Sequence, residues 1–182
     1  MTITVYLGAS PGSSELYRNA VAELGTWIGE SGHDLVYGGS HSGLMGLLAD
    51  AALKAGARVT GVEPRFFIDA QVQHTGIDEL IVVDTMSERR NLMIDKGDAF
   101  IAFPGGVGTL DEISEVIVLR TLGRMDKPCI LYNINGYYDL LREFFDHMEA
   151  EGFLSRERRA MIRFVGGTEE LEAALDGAGR RV

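Results

Sequence analysis

The stretch Pro-Gly-Gly-Val-Gly-Thr-Leu-Asp-Glu at residues 104–112 decides how the chain around it folds. The apolar run 99–103 before it is typical of a buried strand, and the apolar residues from Leu110 onward recur at helical spacing. We therefore predict a glycine loop between a strand and a helix. Glycines let the backbone turn tightly and let a ligand approach without a Cβ in the way. The free N–H groups and positive dipole end of the helix then favour a bound phosphate.

Thr109 and Glu112 admit two interpretations. If Thr109 is the helix N-cap, Glu112 places a carboxylate one turn further on, close to a ligand in the loop. The same Thr-x-x-Glu spacing is also that of a capping box, in which Glu112 only satisfies the Thr109 N–H. The loop is not a complete dinucleotide fingerprint, because Asp111 stands where a third glycine belongs, and no Lys-Ser/Thr pair follows to make a P-loop. The loop predicts a phosphate and leaves its molecule open.

Length and charge limit the class of protein. A chain of 182 residues is enough for one domain with a full core. Its net charge of −10 argues against a nucleic-acid polymer as partner, although a small anion is compatible because local loop geometry can override global charge. We expect a cytoplasmic protein with no membrane partner, because the sequence has neither a basic leader nor a long apolar span. Cys129 lies in an apolar run and is predicted to be a buried structural thiol.

Strand-like and helix-like segments alternate along the chain. The predicted strands are 3–7, 34–37, 58–62, 79–83, 99–103 and 129–132, and the main predicted helices are 15–31, 44–55, 85–96, 137–151 and 168–175. This alternation predicts an α/β fold, a doubly wound parallel sheet with helices on both faces. Glycine loops near Gly8, Gly38 and Gly105 each follow a strand, so they should converge on one edge of the sheet, where such folds bind ligands. The connection 63–77 is predicted to be irregular, as binding loops and lids are.

Two neighbouring arginines occur where a structural helix would not favour them. Residues 85–88, Thr-Met-Ser-Glu, predict a capping box that starts a helix, and this places Arg89 and Arg90 in its first turn. Cations at that end oppose the helix dipole. We therefore predict that both arginines face an anion or a carboxylate.

Two motifs together carry a family resemblance. Met86-x-x-Arg89-Arg90 and residues 104–112 strongly resemble the MxxRK and PGGxGTxxE signatures of the Lonely guy (LOG) family, the cytokinin riboside 5′-monophosphate phosphoribohydrolases. Residues 37–46 are similar to that family's second glycine loop, and the likeness extends from residue 3 to about residue 170. Members of the family were long labelled lysine decarboxylases. None of the three lysines here lies in a setting that favours a Schiff base.

The resemblance implies an activity and a set of roles. The reaction is hydrolysis of the N-glycosidic bond of AMP or an N6-modified AMP, releasing free base and ribose 5-phosphate. The implied architecture is one Rossmann-like domain over residues 1–182 in a homodimer, with no metal or organic cofactor. Glu112 matches the catalytic glutamate and Arg89 the catalytic arginine, which is expected to hold Glu112 ionised. Substrate binding is implied for residues of the loops and helix starts, namely Gly39, Ser40, Gly43, Gln71, Met86, Arg90, Gly105, Gly106, Val107, Gly108, Thr109, Leu110 and Asp111.

Four positions depart from the family pattern. Arg90 replaces a lysine, which keeps the charge and changes the geometry. Ser40 replaces a common glycine, Gln71 stands where relatives carry glutamate, and Val118 stands where many carry threonine. The last two positions put base recognition in question.

A second function of a different class stays open. Molybdenum-cofactor carrier proteins have a similar fold and similar glycine loops, so the chain could be a non-catalytic carrier of a nucleotide or a molybdopterin-type phosphate. Arg89 and Glu112 together favour the enzyme, because a carrier does not need that pair.

Overall fold

Seven parallel strands form one sheet. A computed structural model of the chain describes residues 1–176. The strands are β1 (Thr2–Tyr6), β2 (Asp34–Tyr37), β3 (Val59–Pro64), β4 (Glu79–Val83), β5 (Ala99–Ala102), β6 (Cys129–Tyr132) and β7 (Arg163–Val165). Their spatial order is β4-β3-β2-β1-β5-β6-β7, and each neighbouring pair is parallel. The predicted doubly wound parallel sheet is confirmed.

Helices cover both faces of this sheet. They are α1 (Glu15–Glu30), α2 (Gly43–Lys54), α3 (Arg65–Asp69), α4 (Met86–Lys96), α5 (Val107–Thr121), α6 (Asp139–Ala150), α7 (Arg156–Arg159) and α8 (Thr168–Asp176). One apolar layer packs α1, α2 and α8 on the sheet around Leu24 and Leu48. The other packs α4 and α5 on the opposite face around Met93 and Ile113. Two covered faces explain why the strands are almost continuously apolar.

The order of the strands places a ligand crevice between β1 and β5. The chain moves outward from β1 to β4 and then crosses back to β5 on the other side of β1. Loops that follow strands on either side of such a reversal diverge and leave a crevice. The loops after β1 and β5 touch at its base, where the Gly8 N–H donates to the Pro104 carbonyl at 3.2 Å. The predicted meeting of glycine loops at one edge is confirmed for these two.

The connection after β3 is more ordered than predicted. The strand extends to Pro64, and α3 occupies residues that were expected to be irregular. Beyond α3, Gln71 turns the chain at φ 56°, and Ser40 and Gln73 then form an isolated antiparallel bridge. Long-range pairing therefore orders a segment whose own composition contains no strong helix or strand pattern.

The start of one predicted helix also differs from prediction. The helix expected from residue 137 begins at Asp139, after a 3₁₀ turn over Ile134–Gly136. Asn133 holds this turn, because its side-chain oxygen accepts from the Tyr138 N–H at 2.6 Å. Within residues 1–176, no helix combines the length and the apolar character needed to cross a membrane.

Candidate active site

A cavity of about 450 Å³ opens at the carboxyl ends of the strands. Its walls come from the loop after β1, the start of α2, Arg89, residues 104–109 with Glu112, and two tyrosines, Tyr17 and Tyr137. Cavities of this volume are typical of small-molecule sites. The location and size therefore support a site for one small ligand.

Arg89 enters the cavity from the first turn of α4. The predicted capping box is confirmed, since Thr85 Oγ1 accepts from the Glu88 N–H at 3.1 Å and the Glu88 carboxylate accepts from the Thr85 N–H at 3.2 Å. The Arg89 side chain is buried, with Nη1 3.1 Å from Glu112 Oε1. It also donates from Nε to the Val62 carbonyl at 3.0 Å and from Nη2 to the Gly38 carbonyl at 3.3 Å. Contacts from β3, the loop after β2 and α5 thus fix its orientation.

Arg90 turns to the outer side of the same two helices. Its Nη1 lies 2.8 Å from Asp111 Oδ2, and its Nε lies 2.8 Å from Glu115 Oε2. Arg89 and Arg90 therefore both face carboxylates, as predicted. The pairs formed by Arg90 tie α4 to α5 beside the Arg89–Glu112 pair, outside the cavity wall.

The structure decides between the two interpretations of Thr109. The N-cap of α5 is Gly106, in an extended conformation, so the predicted N-cap at Thr109 is wrong. Thr109 lies inside the first turn, where its hydroxyl is buried and has no hydrogen-bond partner among the described residues. Glu112 pairs with Arg89 and does not complete a capping box. Thr109 and the open end of the helix both line a cavity that can hold an anion.

The glycines of this loop serve different purposes. A Cβ at Gly105 would collide with the Thr109 hydroxyl and the Gly8 backbone, so packing alone requires glycine there. A Cβ at Gly106 or Gly108 would meet no atom within 4 Å among the described residues, apart from its own neighbours along the chain. At those two positions the absence of a side chain keeps the start of α5 accessible, as anion binding to backbone N–H groups requires.

Burial dominates the electrostatics of Glu112. The pKa of the Glu112 carboxyl is raised to about 7, mainly by burial and to a smaller extent by the negative charge of Asp111. The charges of Arg89 and Arg90 lower this pKa without cancelling the effect of burial. The expectation that Arg89 holds Glu112 ionised is therefore only partly met, and Glu112 is positioned to exchange a proton near neutral pH.

The cavity gathers part of the predicted substrate-binding set. Besides Arg89 and Glu112, the predicted residues on its wall are Gly105, Gly106, Val107, Gly108 and Thr109. The others lie outside its wall, namely Gly39, Ser40, Gly43, Gln71, Met86, Arg90, Leu110 and Asp111.

These outlying positions occupy different surroundings. Gly39 packs against the buried Glu63 at the end of β3, and Ser40 is held by its bridge to Gln73. Gln71 is exposed at the turn after α3. Leu110 is exposed on the outer side of α5.

Sequence reasoning missed several residues near the site. Tyr17 and Tyr137 line the cavity and pack edge to face, with ring centroids 6.0 Å apart. Tyr17 follows β1 and Tyr137 follows β6, and the carboxyl ends of both strands lie at the cavity. An aromatic residue soon after a strand was therefore the sequence feature that could have predicted them. Glu63 is buried behind the Arg89 region, and its Oε2 has no hydrogen-bond partner within residues 1–176. No sequence pattern predicted a role for Glu63, because a single carboxylate at the end of an apolar strand belongs to no motif.

Cys129 lies outside the cavity wall. Cys129 is a free buried thiol, and burial raises its pKa to about 12, so the predicted structural role is confirmed. In the part of the chain that the structure describes, no group of three or more histidine, cysteine, aspartate or glutamate side chains is arranged to hold a metal ion.

Sequence comparisons identify close relatives over nearly the whole chain. A family model described as "Possible lysine decarboxylase" matches residues 45–175. A cytokinin riboside 5′-monophosphate phosphoribohydrolase of Rhodococcoides fascians is 44% identical over 175 residues, which cover 96% of this chain and 88% of that protein. An enzyme of the same name from Arabidopsis thaliana is 40% identical over 174 residues, covering 96% of this chain and 82% of that protein.

Structural comparisons find the same fold in more distant proteins. The molybdenum cofactor binding protein of Rippkaea orientalis superposes with a TM-score of 0.75 at 22% identity, covering 97% of this chain and 95% of that protein. The Moco carrier protein of Chlamydomonas reinhardtii superposes with a TM-score of 0.74 at 22% identity, covering 100% and 98%. At this identity the likeness concerns the fold alone.

Proposed function

We propose a function from one premise: this chain belongs to the Lonely guy (LOG) family of phosphoribohydrolases. It is an enzyme that hydrolyses N-glycosidic bonds. The substrate that we propose is an adenosine 5′-monophosphate, either AMP or an N6-substituted cytokinin form. The products are the free base and ribose 5-phosphate.

The observation that carries this proposal is the buried Arg89–Glu112 pair beside the open end of α5. Glycosidic cleavage passes through an oxocarbenium-like transition state, and a carboxylate can stabilise this positive charge while it orients water. In the proposed reaction the bond from C1′ to the base nitrogen breaks, and the water oxygen bonds to C1′. One water proton ends on the departing base, either directly or by way of Glu112. Arg89 pairs with Glu112 and is itself held by the Val62 and Gly38 carbonyls.

The first turn of α5 is the proposed cradle for the 5′-phosphate. Gly106 and Gly108 leave the helix end open, and the buried Thr109 hydroxyl lacks a partner within the described residues. A phosphate there would receive hydrogen bonds from backbone N–H groups and from this hydroxyl. Because Glu112 lies on the next turn of the same helix, the phosphate would hold the ribose within reach of the catalytic pair.

A panel of compounds tests the function directly. The protein is incubated with AMP, N6-isopentenyl AMP, adenosine, GMP and L-lysine, and released base, ribose 5-phosphate and cadaverine are measured. We expect base and ribose 5-phosphate in equal amounts from at least one adenosine monophosphate. Within residues 1–176 no lysine lines the cavity, so we expect no cadaverine. Cadaverine without base release would contradict the proposal.

The same panel separates the enzyme from a phosphate carrier. A carrier would bind a nucleotide or pterin phosphate and return it unchanged, whereas the proposed enzyme consumes its ligand. Binding of AMP with no base released over many hours would favour the carrier. The ion pair inside the cavity favours hydrolysis, because it places charge where bond cleavage would generate it.

The rate of hydrolysis should depend on pH through Glu112. The carboxylate form is the one that stabilises positive charge, and burial raises its pKa to about 7. We therefore expect kcat/KM to rise with pH, with an apparent pKa near 7 on the acid side. A pH profile of base release from AMP measures this limb.

The variant Asp111→Asn provides the control for that limb. The charge of Asp111 raises the pKa of Glu112, so its removal should move the limb to lower pH. The substrate phosphate also titrates, near pH 6, but its pKa in free AMP does not depend on the variant. A limb that stays in place in Asp111→Asn would mean that Glu112 is not the titrating group.

We also propose that the chain forms a homodimer, as the family resemblance implies. Leu110, Val118 and Leu122 on and just after α5 are 44%, 52% and 60% exposed. Apolar side chains exposed together in this way are typical of protein interfaces. Analytical ultracentrifugation measures the mass, and a monomer at all concentrations would contradict the homodimer.

A further inference from the structure

The loop before α5 has its backbone carbonyls held by three different donors. The Phe103 carbonyl accepts from the Tyr138 hydroxyl at 2.9 Å, and the Pro104 carbonyl accepts from the Gly8 N–H at 3.2 Å. The Gly105 carbonyl accepts from the Tyr137 hydroxyl at 2.5 Å. Three successive carbonyl oxygens are thus bound to protein donors at the point where the loop approaches the cavity.

Two adjacent tyrosines make the same kind of bond from different surroundings. Tyr138 is 7% exposed and packs in the core on the α5 face of the sheet. Tyr137 is 44% exposed and lines the cavity. The 3₁₀ turn after β6 presents both, and Asn133 braces it by donating to Asp139 Oδ1 at 2.8 Å.

The ring of Tyr137 is held in position by other aromatic rings. It packs edge to face against Tyr17, across the cavity mouth, and against Tyr138, with centroid distances of 6.0 and 4.9 Å. Such edge-to-face pairs have a preferred geometry, so the hydroxyl direction is set before a ligand binds.

The orientation of the Gly105 carbonyl matters for an anion. Gly105 and Gly106 are consecutive glycines, which have more backbone freedom than any other pair. The peptide between them is planar and trans, so the carbonyl oxygen and the Gly106 N–H point in opposite directions and move together. A released carbonyl could turn its partial negative charge toward a bound phosphate and turn the N–H away.

We propose that Tyr137 is a positioning residue for phosphate binding, whose hydroxyl holds the Gly105 carbonyl and thereby keeps the Gly105–Gly106 peptide in the orientation that accepts a phosphate monoester. This inference rests on the proposed function only in that the monoester is the 5′-phosphate of the nucleotide. It assigns to Tyr137 no contact with the reacting atoms.

The test compares Tyr137→Phe with Tyr138→Phe. Each variant loses one hydroxyl that donates to a loop carbonyl, and each keeps its ring. Titration calorimetry with ribose 5-phosphate measures binding without turnover. Since one hydrogen bond is lost, we expect Tyr137→Phe to raise Kd by about 3- to 10-fold. Tyr138→Phe should leave Kd within about twofold while it lowers Tm, because its bond stabilises the core and not the cavity wall.

Comparing kcat/KM for AMP and for adenosine separates a role in phosphate binding from a purely structural role, which would affect both substrates alike. In Tyr137→Phe we expect kcat/KM for AMP to fall by the same factor as phosphate binding, and kcat/KM for adenosine, which has no phosphate, to stay within about twofold. An unchanged Kd in Tyr137→Phe, or equal losses in both variants, would overturn the inference. If Tyr137→Phe weakens phosphate binding but the protein releases no base, the role of Tyr137 stands and the proposed hydrolysis is wrong. The two failures are therefore distinguishable.

Discussion

Replacing Glu112 with glutamine is expected to lower kcat for base release from AMP by roughly 10²–10³-fold. Glutamine keeps the size of the side chain and can place an amide oxygen where Glu112 Oε1 lies, 3.1 Å from Arg89 Nη1. It cannot carry the negative charge that stabilises an oxocarbenium ion or take a proton from water. A discontinuous assay of released adenine, with circular dichroism and Tm as checks on folding, measures the effect.

Glu115→Gln is the matched control for this substitution. Glu115 lies almost one turn further along α5 and pairs with Arg90 at 2.8 Å, outside the cavity wall. Both substitutions remove one carboxylate from the same helix and one ion pair between α5 and α4. Glu115→Gln should leave kcat within a few-fold of the unchanged protein. Near-normal turnover in Glu112→Gln, or equal losses in the two variants, would show that the assigned role of Glu112 is wrong.

Arg89→Ala should lower kcat about as much as Glu112→Gln does. It should lower the free energy of unfolding more than Glu112→Gln does. The substitution leaves Glu112 buried without its ion-pair partner and releases the Val62 and Gly38 carbonyls. Loss of one member of a buried pair typically costs about 3–5 kcal/mol in the free energy of unfolding. Activity must therefore be measured at a temperature at which the variant is folded, and Glu112→Gln is the cleaner test of the chemistry.

The sequence predicted best those features that local patterns determine. The strands at Asp34–Tyr37, Glu79–Val83 and Cys129–Tyr132 have the predicted bounds. Each is a short, mainly apolar run between turn residues, and such a run leaves little choice of where the strand begins and ends. The start of α4 was predictable from its capping box, and with it the places of Arg89 and Arg90. The dipole argument then predicted that both arginines face an anion or a carboxylate, and in the structure both face carboxylates.

Other features depend on contacts that no local pattern contains. Thr109 was an acceptable N-cap by residue type, but the helix starts at an extended Gly106 that offers no side chain to cap it. The pKa of Glu112 could not be predicted in sign, because an arginine partner and burial act in opposite directions and only the packed structure shows that burial dominates. Tyr137 was expected to begin a helix, but it ends a 3₁₀ turn that brings it to the cavity.

Removal of the 5′-phosphate from the substrate should reduce kcat/KM by at least about 10²-fold. Hydrogen bonds to a charged group each contribute about 1.5–3 kcal/mol, so the loss of two corresponds to a factor of roughly 10² or more. Because the phosphate is remote from the reacting carbon, its binding energy orients the ribose, and kcat should fall as well as affinity. Comparison of AMP with adenosine by base release measures the ratio.

The variant Gly108→Ala shows whether this ratio arises at the start of α5. A Cβ at Gly108 would meet no atom within 4 Å in residues 1–176 other than those of its own helix. Residue 108 is helical, so alanine should leave Tm unchanged or slightly raised. The added methyl group would occupy space beside the N–H groups that the phosphate needs. We therefore expect kcat/KM for AMP to fall by about tenfold or more, and the value for adenosine to stay nearly constant, so that the AMP-to-adenosine ratio narrows. If AMP and adenosine were hydrolysed equally well by the unchanged protein, or if Gly108→Ala left their ratio unaltered, the phosphate would not bind at this helix terminus.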